Sequence, residues 1–248
     1  MIIFMRIDRL LCEMNIGSRS QVKELIKKGL VLADGEPVKR PEMQVDERKV
    51  RITCKGQEYG YSPYVYYMMN KPPGVITATS DEKERTVLDL LREHLLKGRE
   101  DLTGIPINDI FPAGRLDKDT VGLLLLTNDG ALAHRLLSPK RHVPKKYFVR
   151  TNGPITRETA DFLEKGVDMG DGEMSLPARC ELTGSHECHL TITEGKFHQV
   201  KRMFQAAGLT VTYLKRLSMG SLTLDGELKE GQVRELTQKE VTDLCSMT

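Results

Sequence analysis

The residues best placed to do chemistry lie between Phe111 and Asn128, in the string FPAGRLDKDTVGLLLLTN. Asp117 ends a Gly-Arg-Leu-Asp turn, and Thr120, Gly122 and an apolar run follow it. Such a carboxylate is held at the mouth of a buried strand, on a loop whose Gly114 and Gly122 allow close backbone approach. Arg115, two residues earlier, can orient a phosphate or a ribose. Taken alone, an aspartate in such a loop is more often a turn former or helix cap than a catalyst.

A second group, Cys180, His186, Cys188 and His189, raises the question of a metal. Its spacing, C-x5-H-x-C-H, fits no ordinary zinc pattern, and the alternation around it reads as strands and a turn. No metal is expected there. Phe197 and Phe204, seven apart on an expected helix, read as core. Met68 and Met69 read as packing of an opening strand, and Tyr67 as similar, close to the NKPPG turn.

These residues need elements to position them. Arg6 to Met14 has a helical pattern with Ile7, Leu10, Leu11 and Met14 on one face. Gly17 ends it, Ser18 can cap a second helix over Arg19–Lys28, and Gly29 stops that. Leu30–Ala33 and Glu36–Val38 flank Asp34-Gly35, a type I′ hairpin signal. Lys55–Pro63, KGQEYGYSP, reads as a linker between residues 1–60 and a second domain over 64–248. In the second domain, strands are expected at Val65–Asn70, Val121–Thr127, Tyr147–Thr151, Ala178–Leu182, His189–Thr193, Val211–Leu217 and Ser221–Leu224. Helices are expected at Thr86–Leu96, Ala131–Leu137 and Phe197–Ala207, with a loop over Gly98–Pro112. The fold class is α+β: a small helical-plus-hairpin domain, then a domain around a mixed or antiparallel sheet.

The chain has 248 residues, 39% hydrophobic and 29% charged, which suits a globular protein of one large and one small core. No apolar run approaches the roughly 18 residues needed to cross a bilayer. Arg6 and Asp8 interrupt the start too early for a signal peptide, and Met5 is an alternative start. Five scattered cysteines point to a reducing cytoplasm. The net charge of +2 conceals segregation. The segment between Asp129 and Glu158 carries seven bases and no acid, and Gly195–Leu224 carries five and none. Two readings remain open: a polyanion footprint, or surfaces whose acids lie across a fold contact.

Two resemblances narrow this. RIDRLLCEMNIGSRSQVKELIKKGLVLADGEPV resembles the S4 RNA-binding domain, which implies contacts to RNA backbone through Arg6, Arg9, Arg19, Lys23 and Lys27. GRLDKDTVGLLLLTNDG resembles the motif of the pseudouridine synthases in its RsuA-type, rRNA-directed form. YYMMNKPPGV, HRLLSPKRHVPKKYFV, EGKFHQVKRMF and SMGSLTL agree in order, so the resemblance spans the chain. It implies that Asp117 is the essential aspartate, that Tyr147 stacks on the uracil, and that Lys201 pairs with the aspartate. Substrate binding is assigned to Arg115, Gly114, Arg202, Lys71 and Lys146. His134, His142 and His198 read as RNA-facing or structural.

The implied reaction breaks N1–C1′, turns the uracil and rejoins it through C5, with a carboxylate acting at C1′ or C2′ as nucleophile or as base. The target must first be flipped out of structured RNA. No metal or organic cofactor is implied. The expected partner is ribosomal RNA, 16S in free or assembling small subunits, acted on by a cytoplasmic monomer. The short NKPPGV loop and the end at Thr248 favour 16S. The alternatives are a 23S enzyme of the same family, and a non-catalytic RNA-binding or ribosome-assembly protein, against which Asp117, Tyr147 and Lys201 all stand.

Overall fold

The computed structural model describes residues 4–47, 49–62, 64–97, 102 and 105–247. The chain divides into two compact units. One is Met1–Val65 with Arg92–Ile110, and the other is Tyr66–Leu91 with Phe111–Thr248.

The first unit begins with a short strand, β1 (Phe4–Arg6), then helices α1 (Ile7–Glu13) and α2 (Arg19–Lys27). Ile7, Leu10, Leu11 and Met14 are fully buried, as their helical spacing predicts. Ser18 and Gln21 close a reciprocal capping box at the start of α2, which satisfies two of its free amides. Strands β2 (Val31–Ala33) and β3 (Glu36–Pro37) pair across Asp34-Gly35, both at positive φ as a type I′ turn requires. Strand β4 (Gln44–Asp46) pairs with β1.

The expected linker is instead part of this unit. Strands β5 (Ile52–Cys54) and β6 (Gln57–Tyr59) form a second hairpin, and β5 also pairs with β2. Lys55 and Gly56 make its turn at φ 51 and 83. Tyr59 and Tyr61 pack on the core, and the Tyr61 hydroxyl donates to Glu13 at 2.8 Å. The polar, glycine-containing composition that suggested a linker reflects a two-residue turn and one solvated strand face. Pro63 lies outside the described residues.

The second unit is built on β7 (Tyr66–Lys71), α3 (Val87–Leu95, which crosses the division), β8 (Phe111–Pro112), β9 (Val121–Thr127), α4 (Gly130–Leu137) and β10 (Lys145–Thr151). It continues through α5 (Arg157–Glu164), β11 (Arg179–Gly184), β12 (Glu187–Ile192), α6 (Gln199–Ala206), β13 (Val211–Met219), β14 (Leu222–Thr223), β15 (Val233–Glu235) and α7 (Gln238–Ser246). The sheet runs β11-β12-β10-β13-β9-β7-β15, with β14 on β13 and β8 on β9. Its pairs are antiparallel except β9 with β13, so the sheet is mixed. Every residue of β9 is buried, which explains the apolar run that follows the Asp117 loop.

Part of the expected loop over Gly98–Pro112 lies outside the described residues, and its end forms a 3-10 turn at Ile107–Asp109 and then β8. Helix α6 starts two residues later than expected. His198 takes the left-handed conformation at φ 48, and Phe197 lies before the helix at 69% exposure. Phe204 is fully buried, so only one of the two phenylalanines belongs to the core.

Candidate functional site

A pocket of about 620 Å³ opens on the second unit. Asp117, Tyr147, Lys201, Arg115 and Gly114 line it, together with Thr120, Lys145, Phe197, His198 and Arg216. Residues far apart in sequence meet here because the Asp117 loop feeds β9, which pairs with β13, which pairs with β10.

The loop is braced on several sides. Lys71, with no exposed surface, donates from Nζ to the carbonyls of Pro72, Lys118 and Thr120 at 3.0, 3.2 and 3.0 Å. The Gly74 amide donates to the same Lys118 carbonyl at 2.8 Å. Thr77 Oγ1 donates to the Leu116 carbonyl at 2.7 Å and accepts from the Leu116 amide at 3.2 Å. The paired prolines and Gly74 of KPPG turn the end of β7 back onto the loop that carries Asp117.

At the tip, Asp117 Oδ2 lies 3.0 Å from Lys201 Nζ, and Oδ1 lies 3.5 Å from His198 Nε2. Lys201 also bonds Asp119 Oδ1 at 2.6 Å. Burial works against the Lys201 ammonium, but hydrogen bonds to Asp119 and Asp117 outweigh it and hold Lys201 above its ordinary value. Asp119 is held below the usual carboxylate range, its partial burial outweighed by the bond from Lys201. The turn before α6 that aims Lys201 is tied through Gln199, which accepts from the Lys196 amide at 3.0 Å and donates to Glu194 at 2.7 Å.

Tyr147 sits at the pocket wall, 8% exposed, with Lys145 and Val149 on the same face of β10. Burial, with Arg216 nearby, lowers Lys145 to about 8, and its Nζ donates to the Val143 carbonyl at 3.0 Å. The register of β10 with β13 shifts between Lys146 and Tyr147, so that Tyr147 faces Arg216 rather than Leu217. Bulges of this kind re-aim side chains beside functional sites.

Three expected substrate ligands do not line the pocket. Lys71 is committed to backbone carbonyls under the loop, where burial lowers it to about 8. Lys146 alternates to the other face of β10 and pairs with Glu181 at 3.0 Å. Arg202 turns away on α6, donating to the Met169 carbonyl and to Glu173. Sequence reasoning in turn missed Lys145 and Arg216. The two-residue spacing of Lys145 from Tyr147 in KKYFV would have chosen Lys145 over Lys146.

The acid-free segments also resolve. Lys146, Arg150, Lys201 and Arg202 pair with acids from elsewhere in the fold, whereas Arg157 pairs with Asp161 one turn along α5 and Lys196 with Glu194 two residues before it. Lys145 and Arg216 are buried. Lys140 and Arg141 are exposed and stand outside the ion pairs among the described residues. Much of the positive charge is therefore paired or buried within the fold. On the first unit, Arg19, Lys23 and Lys27 form an exposed stripe along α2, while Arg6 pairs with Asp8 at 2.7 Å and Arg9 with Glu13 at 2.8 Å. Cys180 and Cys188 are buried neighbours on β11 and β12, and no group of three or more His, Cys, Asp or Glu among the described residues is placed to hold a metal. No helix among them is long and apolar enough to cross a membrane.

Comparison with known proteins shows the family. Residues 65–206 match the family described as RNA pseudouridylate synthase, and residues 5–50 match the S4 domain. An uncharacterized RNA pseudouridine synthase of Bacillus subtilis, YtzG, is 48% identical over 241 residues, 96% of this chain and 97% of its own. Ribosomal small subunit pseudouridine synthase A of Vibrio cholerae is 38% identical, covering 97% of this chain and 99% of its own. A solved structure titled "Crystal structure of pseudouridylate synthase" superposes with a TM-score of 0.65 at 34% identity, covering 97% of this chain and 99% of its own.

Proposed function

The chain belongs to the RNA pseudouridylate synthase family and carries an S4 domain, and on that premise we propose that it isomerises one uridine of 16S ribosomal RNA with Asp117 as the essential carboxylate. The observation that carries the residue assignment is the Asp117–Lys201 pair at 3.0 Å, set in one pocket with the Tyr147 ring. Support for the small subunit comes from the Vibrio cholerae relative, whose name specifies it and which matches nearly end to end.

In this reading a target uridine is extruded into the pocket, and its base lies on Tyr147. Asp117 acts at C1′ or C2′ as the glycosidic bond breaks, and Lys201 compensates the aspartate charge without being consumed. The freed uracil turns on the tyrosine and rejoins through C5, whose proton then leaves. Arg115, exposed at the mouth, and Gly114, at φ 90 beside a Leu137 methyl, shape the entrance. Arg19, Lys23 and Lys27 contact RNA backbone.

Tritium release from RNA labelled at C5 of uridine tests this. Release is expected from an unmodified 16S transcript or assembly intermediate, and none from 23S. Asp117→Ala should reduce it to background while leaving RNA affinity largely intact. Release from 23S alone would overturn the subunit assignment, and an active Asp117→Ala would overturn the role of Asp117.

A further inference from the structure

Two residues of the pocket wall bury polar atoms that have no hydrogen-bond partner among the described residues: Arg216 through Nη2 and Thr120 through Oγ1. Arg216 is 2% exposed, and its Nε is already committed to the Leu123 carbonyl at 2.7 Å. A buried donor left unpaired costs about 1–3 kcal/mol, more when charged. Such atoms survive where something outside the chain completes them.

Both residues line the pocket that holds Tyr147. The bulge in β13 puts Arg216 directly across from Tyr147, and cross-strand neighbours on one face have Cβ atoms about 5 Å apart. Arg216 also pairs with Gly122 in the parallel ladder. Thr120 stands two residues before Gly122, immediately ahead of β9. A planar base lying on the Tyr147 ring would have Arg216 and Thr120, which line the same pocket, among its polar neighbours.

We infer that Arg216 and Thr120 read the edge of the entering base and select uracil over cytosine. The inference rests on the reading of this pocket as a uridine site. Uracil carries a carbonyl acceptor at C4 beside an N3–H donor, and cytosine carries an amino donor at C4 beside an N3 acceptor. A guanidinium has five donors and no acceptor, so it complements the uracil carbonyl and opposes the cytosine amine. The Thr120 hydroxyl can accept from N3–H, but it can also turn to donate. Arg216 thus carries most of the discrimination, and Thr120 adds affinity.

Titration of the full chain with uridine and cytidine 5′-monophosphates by saturation-transfer NMR tests this, since the two probes differ only in the base. The wild-type chain should prefer the uridine nucleotide by about 10-fold or more. Arg216→Lys keeps the charge but not the fork, and should bring the ratio to within about 2-fold. Equal binding to wild type, no detectable uridine nucleotide binding, or an unchanged ratio in a folded Arg216→Lys protein overturns the inference. If circular dichroism shows that Arg216→Lys is unfolded, Thr120→Val decides. It should weaken the uridine nucleotide about 3- to 10-fold, the worth of one hydrogen bond, and the cytidine nucleotide by no more than the same factor. No change there overturns the inference as well. A clear uridine preference without tritium release from 16S would reject the substrate assignment above and leave base selection standing. Release without preference would do the reverse.

Discussion

Lys201 sits closer to Asp119 than to Asp117: its Nζ is 2.6 Å from Asp119 Oδ1 and 3.0 Å from Asp117 Oδ2. One ammonium thus bridges two carboxylates of different standing. Asp119 is 73% exposed at the side chain, whereas Asp117 is recessed in the pocket.

An exposed ion pair contributes little, about 0–1 kcal/mol. Asp119→Asn should therefore slow tritium release by no more than about 5-fold, by loosening the grip on Lys201. Lys201→Met removes the only ammonium that contacts Asp117 among the described residues, and should cost at least about 100-fold, a loss of the size seen when a charge partner at a reacting centre is removed. Single-turnover rates on one substrate give the comparison. If Asp119→Asn proved as damaging as Lys201→Met, the second carboxylate would belong to the chemistry itself.

Lys71 makes a prediction about pH. Burial lowers its folded value to about 8, from 10.5 when unfolded. Between those values the unfolded chain binds more protons than the folded one, so this group's contribution to stability rises with pH. In Lys71→Met that contribution is gone. The stability gap between wild type and variant should widen in favour of wild type by about 1–2 kcal/mol from pH 8 to pH 9.5. Denaturant titrations at the two pH values measure it, and a constant gap would show that Lys71 titrates as it does in water. Activity should fall in the variant at every pH, because three carbonyls holding the Asp117 loop lose their donor.

Gly122 shows how tightly the site is built into the sheet. At φ +101, a Cβ there would collide with the Arg216 carbonyl oxygen and lie 2.8 Å from its amide nitrogen. Neither backbone atom can move without parting β9 from β13. Gly122→Ala should therefore cost about 4 kcal/mol or more and yield insoluble or inactive protein. Gly170, at the same φ with open space around it, provides the control. Gly170→Ala carries backbone strain alone, about 1–2 kcal/mol, and should remain folded and active. Thermal melting of the two variants separates close approach from strain.

Much of this was legible before any coordinates. Ile7, Leu10, Leu11 and Met14 announced their helix by spacing, β9 by its apolar run, and Asp117 and Lys201 by motif. Signals that depend on which face a residue takes were misread. KKYFV offers Lys146 as readily as Lys145, although strand alternation places Lys145 beside Tyr147 and turns the half-buried Lys146 to the other face. Arg216 was invisible because its place in the pocket depends on a bulge at Leu217, which no periodicity encodes. KGQEYGYSP failed as a linker because a Lys-Gly turn and a solvated strand have loop-like composition. Phe197 failed as core because α6 begins after a left-handed His198.

The S4 stripe supplies a prediction independent of the pocket. Arg19, Lys23 and Lys27 are exposed along α2 and stand in no ion pair among the described residues, whereas Arg6 and Arg9 already pair with Asp8 and Glu13. A base that must leave an internal acid to reach a phosphate gains less than one that is free. Binding to RNA should fall steeply with salt, and each phosphate contact removed should lower the slope of log K against log salt by about 1. Lys23→Ala with Lys27→Ala should thus cut the slope by about 2, and Arg9→Ala should barely move it. Filter binding of a 16S transcript across a salt series reads both numbers. An equal effect from Arg9→Ala would mean that RNA breaks the Arg9–Glu13 pair, and a flat titration for the wild-type chain would remove the stripe from the interface altogether.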